Sequence, residues 1–292
     1  MKKNSRTHSD LDSRLRRVEG RHNALVKDLR KAFAHGDLTA DGHCAIEGVR
    51  ILEEAIRSGL KFRAVFFNSS ALAKAERLLP QLAAYVETLL LPDKLFATAV
   101  PSDSPQGVAA LVRCPAFTAD DVLAKSTAGP VLAISGVQDP GNLGTILRSA
   151  EAFGAAGALL GEGTVSPFNS KTVRASAGSV FRLPIAKVKL VEILPEMRSR
   201  GLRLAATSSH KGTPLHDAQL SGSLAIFIGS EGAGLPRDLL SQMDETLAIP
   251  HSEHVESLNA GVAASIVLYE VARQGRRTTS PQSHRDTEKS QE

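Results

Sequence analysis

Hydrophobic runs and helical patterns alternate through the second half of the chain. Short apolar runs of the kind found in strands covered on both faces recur at 131–137, 156–160, 202–206, 224–228 and 247–249. Apolar residues at helical spacing lie between or after these runs, at 143–153, 191–200 and 258–273. Because strands alternate with helices, we predict an α/β domain with a mostly parallel sheet covered on both faces. The last of the helices is apolar nearly all round and is therefore expected to be buried by its own domain or by a second subunit.

The first half of the chain predicts a smaller α/β unit. Residues 43–58 have apolar side chains close to helical spacing, at Ile46, Val49, Leu52 and Ile56. Residues 62–67 and 107–112 predict strands, and residues 71–79 predict a helix that stops at Pro80. Residues 118–129 predict a linker or a short helix that leads into the second unit.

Length and composition agree with two domains between polar ends. At 292 residues the chain is long enough for about two domains, which we place at 22–122 and 128–274. Residues 1–21 and 275–292 are polar, so we expect disordered tails there. The first 31 residues carry ten basic and four acidic side chains. That balance suits contact with a phosphate backbone, and equally a tail that only keeps the protein in solution.

The composition also argues against several classes of protein. No apolar run approaches the roughly 18 residues of a membrane span, and no apolar stretch of a secretory signal follows the basic N-terminus. The two cysteines, Cys44 and Cys114, fit no metal-binding spacing. We therefore expect a cytoplasmic protein with reduced cysteines, no membrane association and no metal.

Three glycine-containing turns follow predicted strands, at the edge where an open α/β sheet binds ligands. In the first, Asp139-Pro140-Gly141 forms a turn and Asn142 stands at the start of a helix, where it could simply be the N-cap. Arg148 follows on that helix among apolar neighbours. An arginine there requires an acidic partner, such as Glu151 at i+3, or an anionic ligand.

The second turn, at 229–236, is rich in glycine, which lets a ligand approach the backbone closely. It is not a dinucleotide fingerprint, because the third glycine is missing and Pro236 interrupts the expected helix start. The chain contains no GxxxxGK[ST] phosphate loop.

The third turn, at 249–259, leads into the apolar final helix, and Ser257 or Asn259 could simply cap that helix. A metal site is a weaker alternative, since no further ligand cluster accompanies the four potential metal ligands of this turn, His251, Glu253, His254 and Glu256.

One further segment, at 166–178, places Lys171 and Arg174 three residues apart on one helical face. The pair suits a phosphate group of RNA. A basic face exposed only to solvent is an equal alternative.

The order of these segments resembles the SpoU (TrmH) family of RNA 2′-O-ribose methyltransferases, in the SPOUT superfamily. Residues 139–148, 229–235 and 249–259 resemble the three motifs of that family, in the same order. Residues 171–178 are similar to a further common segment. Glu47-Gly48-Val49-Arg50 resembles the start of the ribosomal-protein-like RNA-binding domain that family members carry.

The resemblance implies a fold that spacing alone does not show. The C-terminal parallel-sheet domain would contain a trefoil knot, a rare exception to ordinary chain topology, and would follow a small ribosomal-protein-like α/β domain. The knot loops would hold S-adenosylmethionine in a bent conformation, and two subunits would pair as a homodimer to complete the site.

The resemblance also implies roles for individual residues. Those expected to act on or orient the RNA are Asn142, Arg148, Glu231, Ser257 and Asn259. Those expected to surround the adenosyl group through their backbone are Thr207, Gly229, Ile249 and Leu258. Those expected to bind RNA phosphates are Lys171, Arg174 and Arg50. Two residues depart from the common pattern: His251 stands where an apolar residue is common, and Glu253 where glycine is common.

The implied reaction is methyl transfer from S-adenosylmethionine to a ribose 2′-hydroxyl of structured RNA. The 2′-hydroxyl is what distinguishes RNA from DNA as a substrate. Ribosomal RNA is preferred because the N-terminal domain is of the ribosomal-protein type, and transfer RNA is the alternative. A non-catalytic RNA-binding protein of the same fold is a second alternative, although all five expected catalytic residues are present. A Rossmann-type nucleotide enzyme would need the glycine fingerprint that the chain lacks.

Overall fold

The computed structural model describes residues 14–102, 105–209 and 211–279. The N-terminal unit contains five strands and four α-helices: β1 (Arg16–Arg17), α1 (Ala24–His35), β2 (His43–Glu47), α2 (Val49–Arg57), β3 (Lys61–Asn68), α3 (Leu72–Leu78), β4 (Glu87–Leu91), α4 (Asp93–Ala99) and β5 (Val108–Arg113). A short helix, α5 (Ala119–Leu123), leads to the C-terminal unit.

The C-terminal unit alternates strands and helices as the sequence predicts. Its elements are β6 (Val131–Ile134), α6 (Pro140–Ala152), β7 (Gly157–Leu160), α7 (Ser170–Ala175), β8 (Ile185–Lys187), α8 (Leu190–Ser199), β9 (Arg203–Ser208), β10 (Thr213–Pro214), β11 (Leu224–Ile228), α9 (Arg237–Leu240), β12 (Glu245–Ala248) and α10 (Ala260–Thr279). The short strands β8 and β10 were not predicted, because two or three residues carry too little periodicity.

The C-terminal sheet has seven parallel strands in the order β10-β12-β9-β11-β6-β7-β8. Alternate residues of β6 enter different hydrophobic clusters, so both faces of the sheet are covered. Leu132 and Ile134 join the cluster formed with α6 and α10, whereas Val131 and Ala133 join the one formed with α5 and α8. The predicted parallel sheet is therefore confirmed, and open sheets of this kind bind ligands at the carboxyl ends of their strands.

The N-terminal sheet is mixed, in the order β1-β4-β3-β5-β2. The helix predicted over 43–58 is wrong for its first part, because residues 43–47 form β2 and pair antiparallel with β5. Only Val49–Arg57 is helical. Ile46 fits both the helical and the strand period. Pairing with β5, some 65 residues later, selects the strand, and local spacing cannot show this pairing.

The predicted disordered tails are too long at both ends. Arg16–Arg17 forms β1 and pairs with β4, and α10 continues through Gly275 to Thr279. The rest of both predicted tails, residues 1–13 and 280–292, lies outside the described residues.

Polar contacts join the two units. Arg182 follows the turn Ser179–Phe181 and donates through Nη1 to Glu54 and Ser58 of the N-terminal unit, at 3.1 and 3.0 Å. A second contact pairs Arg174 with the buried carboxylate of Glu47 at 3.5 Å. Among the described residues, no helix is long and apolar enough to cross a membrane.

Candidate active site

A cleft of about 450 Å³ lies at the carboxyl edge of the parallel sheet. Its walls are the segments that follow β9, β11 and β12. In the sheet, β9 lies between β12 and β11, so the three segments begin next to one another. All four residues expected to surround an adenosyl group line this cleft: Thr207, Gly229, Ile249 and Leu258. The structure thus brings together residues up to about 50 positions apart, and their cofactor-binding role stays a prediction.

Gly229 lies in the cleft wall where two backbone segments meet closely. The loop behind it is closed by two backbone hydrogen bonds, Ser230 N–H to the Gly234 carbonyl at 3.1 Å and Gly234 N–H to the Ser230 carbonyl at 3.0 Å. A Cβ on Gly229 would lie 2.2 Å from the carbonyl carbon of Gly234 and 2.4 Å from the nitrogen of Leu235. Only glycine therefore lets this loop fold back against the end of β11.

The cleft fits S-adenosylmethionine in size and chemistry. Its volume lies within the range of about 300–1,000 Å³ that is usual for small-ligand pockets. The apolar side chains of Ile228, Leu235 and Leu258 can cover the faces of an adenine ring, and the exposed backbone of the 230–234 loop offers amide and carbonyl groups to its polar atoms. Glu231 stands on the rim, where a carboxylate suits a cationic ligand.

Asn142 lies at the centre of a hydrogen-bonded cluster beside the cleft. Its Nδ2 donates to Glu231, and its Oδ1 accepts a 2.7 Å hydrogen bond from Nδ2 of Asn259. The N-cap of α6 is instead Asp139, whose carboxylate accepts from the backbone N–H of Asn142 at 2.8 Å. The alternative that Asn142 only caps the helix is therefore wrong, since its side chain serves the cluster.

Asn259 both caps a helix and reaches the Asn142 cluster, and its expected role towards RNA stays a prediction. Its Oδ1 accepts from the backbone N–H groups of Gly261 and Val262, at 3.0 and 3.2 Å, and so caps α10. Its Nδ2 remains free to reach Asn142. Ser257, the other proposed cap, lines the cleft next to Leu258 instead.

Arg148 lies on the exposed side of α6, outside the cleft. Within the described part of the chain, no residue forms a hydrogen bond or ion pair with its guanidinium. The expected alternative, a salt bridge to Glu151, is wrong because Arg182 binds both carboxylate oxygens of Glu151, at 2.5 and 2.9 Å. The guanidinium of Arg148 is therefore available to an anionic ligand.

The three residues expected to bind RNA phosphates lie away from the cleft. Lys171 and Arg50 are exposed, on α7 and α2. Arg174 is partly neutralised, because it pairs with Glu47 of the N-terminal unit. Gly144 brings α7 directly against α6, since a Cβ at that position would lie 2.4 Å from Cβ of Ala175.

The potential metal ligands of the 249–259 turn serve the turn itself or face solvent. The His251 ring lies between two backbone carbonyls, with Nδ1 2.7 Å from Ile249 O and Nε2 3.1 Å from Val255 O. Glu253, His254 and Glu256 are exposed. In the described residues, no group of three or more His, Cys, Asp and Glu side chains is arranged to hold a metal ion.

Comparison with known proteins agrees with this geometry. Residues 129–269 match the model of the SpoU rRNA methylase family, and residues 23–110 match that of an MRM3-like substrate-binding domain. The chain is 34% identical over 256 residues to the 23S rRNA (guanosine(2553)-2′-O)-methyltransferase RlmP of Bacillus subtilis, which covers 87% of this chain and 98% of that relative. The chain belongs to the SpoU rRNA methylase family.

Two solved structures support the assignment of this SpoU family member. An rRNA methyltransferase from Sinorhizobium meliloti with bound AdoMet superposes with a TM-score of 0.75 at 27% identity, covering 92% of this chain and all of that one. The SpoU methyltransferase AviRb from Streptomyces viridochromogenes, in complex with the cofactor AdoMet, gives 0.75 at 26% identity, covering 89% and 100%. The predicted family, enzyme class and cofactor, S-adenosylmethionine, are confirmed.

Sequence reasoning missed two residues at the junction between the two units of this SpoU family member. Arg182 binds Glu151 and the N-terminal unit, and Glu47 holds Arg174. A signal for Glu47 was present, because it opens the Glu47-Gly48-Val49-Arg50 motif, although nothing indicated its partner. Arg182 lies 31 residues from Glu151, and no local pattern links the two.

Proposed function

We propose that the chain transfers a methyl group from S-adenosylmethionine to a ribose 2′-hydroxyl of ribosomal RNA. The observation that carries this proposal is the Asn142–Glu231–Asn259 cluster at the rim of a cleft that fits the cofactor. The relative RlmP, by its name, methylates a guanosine 2′-oxygen of 23S rRNA, and it aligns over 98% of its length. The domain matched at 23–110, described as substrate-binding, supports an RNA substrate.

The residues of the site have to orient the ribose and assist its hydroxyl. Bound S-adenosylmethionine supplies a methyl group that is already electrophilic. The 2′-hydroxyl must be aligned with that group and must lose its proton as the bond forms. We assign the alignment to the Asn142 cluster. Arg148 serves best by binding an adjacent phosphate and stabilising the developing alkoxide, because a guanidinium offers only N–H donors and no acceptor.

A homodimer would bring Arg148 to a cleft. Val262, Ile266 and Tyr269 form an exposed apolar stripe along α10, with exposed fractions of 47%, 36% and 55%. The stripe adjoins the exposed side of α6, because α6 and α10 pack through the Ser149–Ser265 hydrogen bond at 2.6 Å. A second copy on this surface would cover the stripe and carry each Arg148 towards the partner's cleft.

The path of the C-terminal segment supports a trefoil knot. Ile249 to Leu258 lie against the segments that follow β9 and β11, and α10 then returns to pack on α6 from the start of the domain. In a trefoil knot, the end of the chain would pass behind these earlier loops. The knot, the homodimer and a cytoplasmic location are parts of this proposal.

RNA phosphates would lie along the exposed basic side chains outside the cleft. Arg148, Lys171 and Arg50 are exposed on α6, α7 and α2, and the contact at Gly144 holds the first two helices together. This arrangement suits RNA that extends from the methyl site towards the N-terminal unit.

The proposal is tested by methyl transfer from labelled S-adenosylmethionine to RNA separated into ribosomal and transfer pools, with Asn142→Ala as the control. Alkali-resistant label in ribosomal RNA, absent with the variant, is the expected result. Label confined to transfer RNA would change the substrate class. Cofactor binding without label in any pool, including RNA of incompletely assembled ribosomal subunits, would favour a non-catalytic RNA-binding protein.

A further inference from the structure

Glu151 stands where it could neutralise Arg148. The two residues lie three positions apart on α6, and side chains at that spacing are neighbours on a helix surface. Glu151 instead forms a bidentate pair with Arg182, Nε to Oε1 at 2.5 Å and Nη2 to Oε2 at 2.9 Å. Both carboxylate oxygens are therefore occupied, and Arg148 is left without a partner in the described residues.

The position of Arg182 is fixed from its other side. Its Nη1 donates to Glu54 at 3.1 Å and to the hydroxyl of Ser58 at 3.0 Å. Gly178, four residues earlier, has a φ of 86°, and a Cβ there would lie 2.7 Å from Cβ of Glu54. The turn that carries Arg182 is thus pressed against α2, so its guanidinium spans the junction between the two units.

The charges explain why this placement matters for Arg148. Arg182 faces two carboxylates, those of Glu54 and Glu151, which are only 25% and 31% exposed. Without Arg182, Glu151 would lose its ion pair, whereas Glu54 would keep its pair with Arg57. Glu151 would then keep only its hydrogen bond with Ser179, and it could turn to Arg148 because opposite charges at i,i+3 attract each other.

We propose that Arg182 is a positioning residue for methyl transfer: it holds Glu151 away from Arg148 and so keeps that guanidinium free for RNA. This inference rests on the proposed function, because it assigns Arg182 a role only through Arg148. A purely structural alternative exists, in which Arg182 acts as a strut between the units through Glu54. If Arg182 acts through Arg148, replacing Glu151 by glutamine should restore the activity of an Arg182 variant. If Arg182 is only a strut, replacing Glu54 should cost as much activity as replacing Arg182.

The experiment compares Arg182→Ala with the double variant Arg182→Ala/Glu151→Gln at low ionic strength. We expect Arg182→Ala to lower kcat/KM for methyl transfer about two- to fivefold, since partly exposed ion pairs are weak and salt-screened. The double variant should recover activity to within about twofold of wild type, because glutamine cannot neutralise Arg148. The loss in Arg182→Ala should also shrink at high salt, where charge pairs are screened.

Glu54→Gln is the matched control, because it removes the ion pair between Arg182 and the N-terminal unit, keeps the hydrogen bond to Ser58, and leaves the Glu151 pair intact. It is expected to retain wild-type activity. The proposal is overturned if the double variant is no more active than Arg182→Ala, or if Glu54→Gln loses as much activity as Arg182→Ala. Equal melting temperatures of the two Arg182 variants would show that recovery does not reflect refolding. Wild-type methyl transfer that depends on Arg148 tests the proposed function separately.

Discussion

The side-chain amide of Asn259 donates a 2.7 Å hydrogen bond to Oδ1 of Asn142, which lies 117 positions earlier in the chain. Asn142 in turn donates to Glu231, so one amide joins the first, second and third glycine-containing turns. The orientation of the Asn142 amide is thereby fixed, because its oxygen accepts and its nitrogen donates. This fixed orientation is what the proposed alignment of the ribose requires.

Replacing Asn142 by aspartate should impair methyl transfer more than replacing it by alanine. Aspartate has the same shape, but it cannot donate to Glu231 and places a second negative charge beside it. We expect a loss of about tenfold or more in kcat/KM for Asn142→Ala, and a larger one for Asn142→Asp. Calorimetry should find S-adenosylmethionine bound within a few-fold of the wild-type affinity. An aspartate variant as active as wild type would remove Asn142 from the reaction.

A double-mutant cycle tests the link between the two asparagines. Asn142→Ala and Asn259→Ala remove the same hydrogen bond. The kcat/KM of the double variant should therefore be little lower than that of the more damaging single variant. Fully additive losses would show that the two residues act independently.

The sequence predicts the parallel sheet and the turns that line the cleft, because both depend on local patterns. Buried strands appear as apolar runs, and glycines at 229–234 indicate a tight turn. The strand at 43–47 is not predictable in this way. Its residues also satisfy a helical spacing at Ile46, and only pairing with β5 selects the extended form.

The candidate site shows the same limit at the level of single residues. Spacing offers Asn142 as a cap and Arg148 as half of a salt bridge. Asp139 is the N-cap instead of Asn142, and Arg182 instead of Arg148 binds Glu151. Local rules name candidates for each role. They cannot decide between partners when a competitor approaches from a distant part of the chain.

Gly229→Ala should abolish S-adenosylmethionine binding, whereas Gly232→Ala should not. A methyl group at 229 would overlap the backbone of Gly234 and Leu235, so the loop would have to move out of the cleft wall. At 232 a Cβ meets no described atom within 4 Å, and both residues line the same cleft. Isothermal titration of both variants with the cofactor measures the difference, and equal affinities would show that the cleft is not the cofactor site.

Arg148 should act on the cleft of the partner subunit. Arg148→Ala and Gly229→Ala are each expected to be inactive alone. When the two are co-expressed, about half of the dimers are mixed, and each has one intact cleft that faces an intact Arg148. Recovery of about a quarter of wild-type activity is therefore expected. No recovery, with mixed dimers demonstrated by differently tagged subunits, would place Arg148 in its own subunit's site.

Cys44 and Cys114 should resist alkylation in the native protein. Their sulfur atoms lie 2.9 Å apart and both side chains are buried. The hydrogen bond to Cys114, together with burial, raises the pKa of the Cys44 thiol well above its usual value. Because the thiolate is the reactive form, iodoacetamide at neutral pH should label neither residue until denaturant is added. Rapid labelling without denaturant would show that β2 and β5 separate readily.

The Arg182–Glu151 pair should make stability depend on pH in the acid range. The hydrogen bond from Arg182 holds the pKa of Glu151 below its ordinary value. A carboxyl group with a lowered folded-state pKa stabilises the fold fully above its unfolded pKa of about 4.3, and this contribution is lost as the pH falls through the lowered value.

At pH 7, Glu151→Gln should therefore destabilise the protein, by about 1 kcal/mol or less because solvent screens the partly exposed pair. The difference from wild type should shrink progressively as the pH falls below about 4. Thermal melting of both proteins from pH 7 to pH 3 measures this, with Glu256→Gln, at an exposed site that has no ion pair to described residues, as the control. A difference that persists unchanged in acid would mean that Glu151 stabilises the fold through packing, not through its charge.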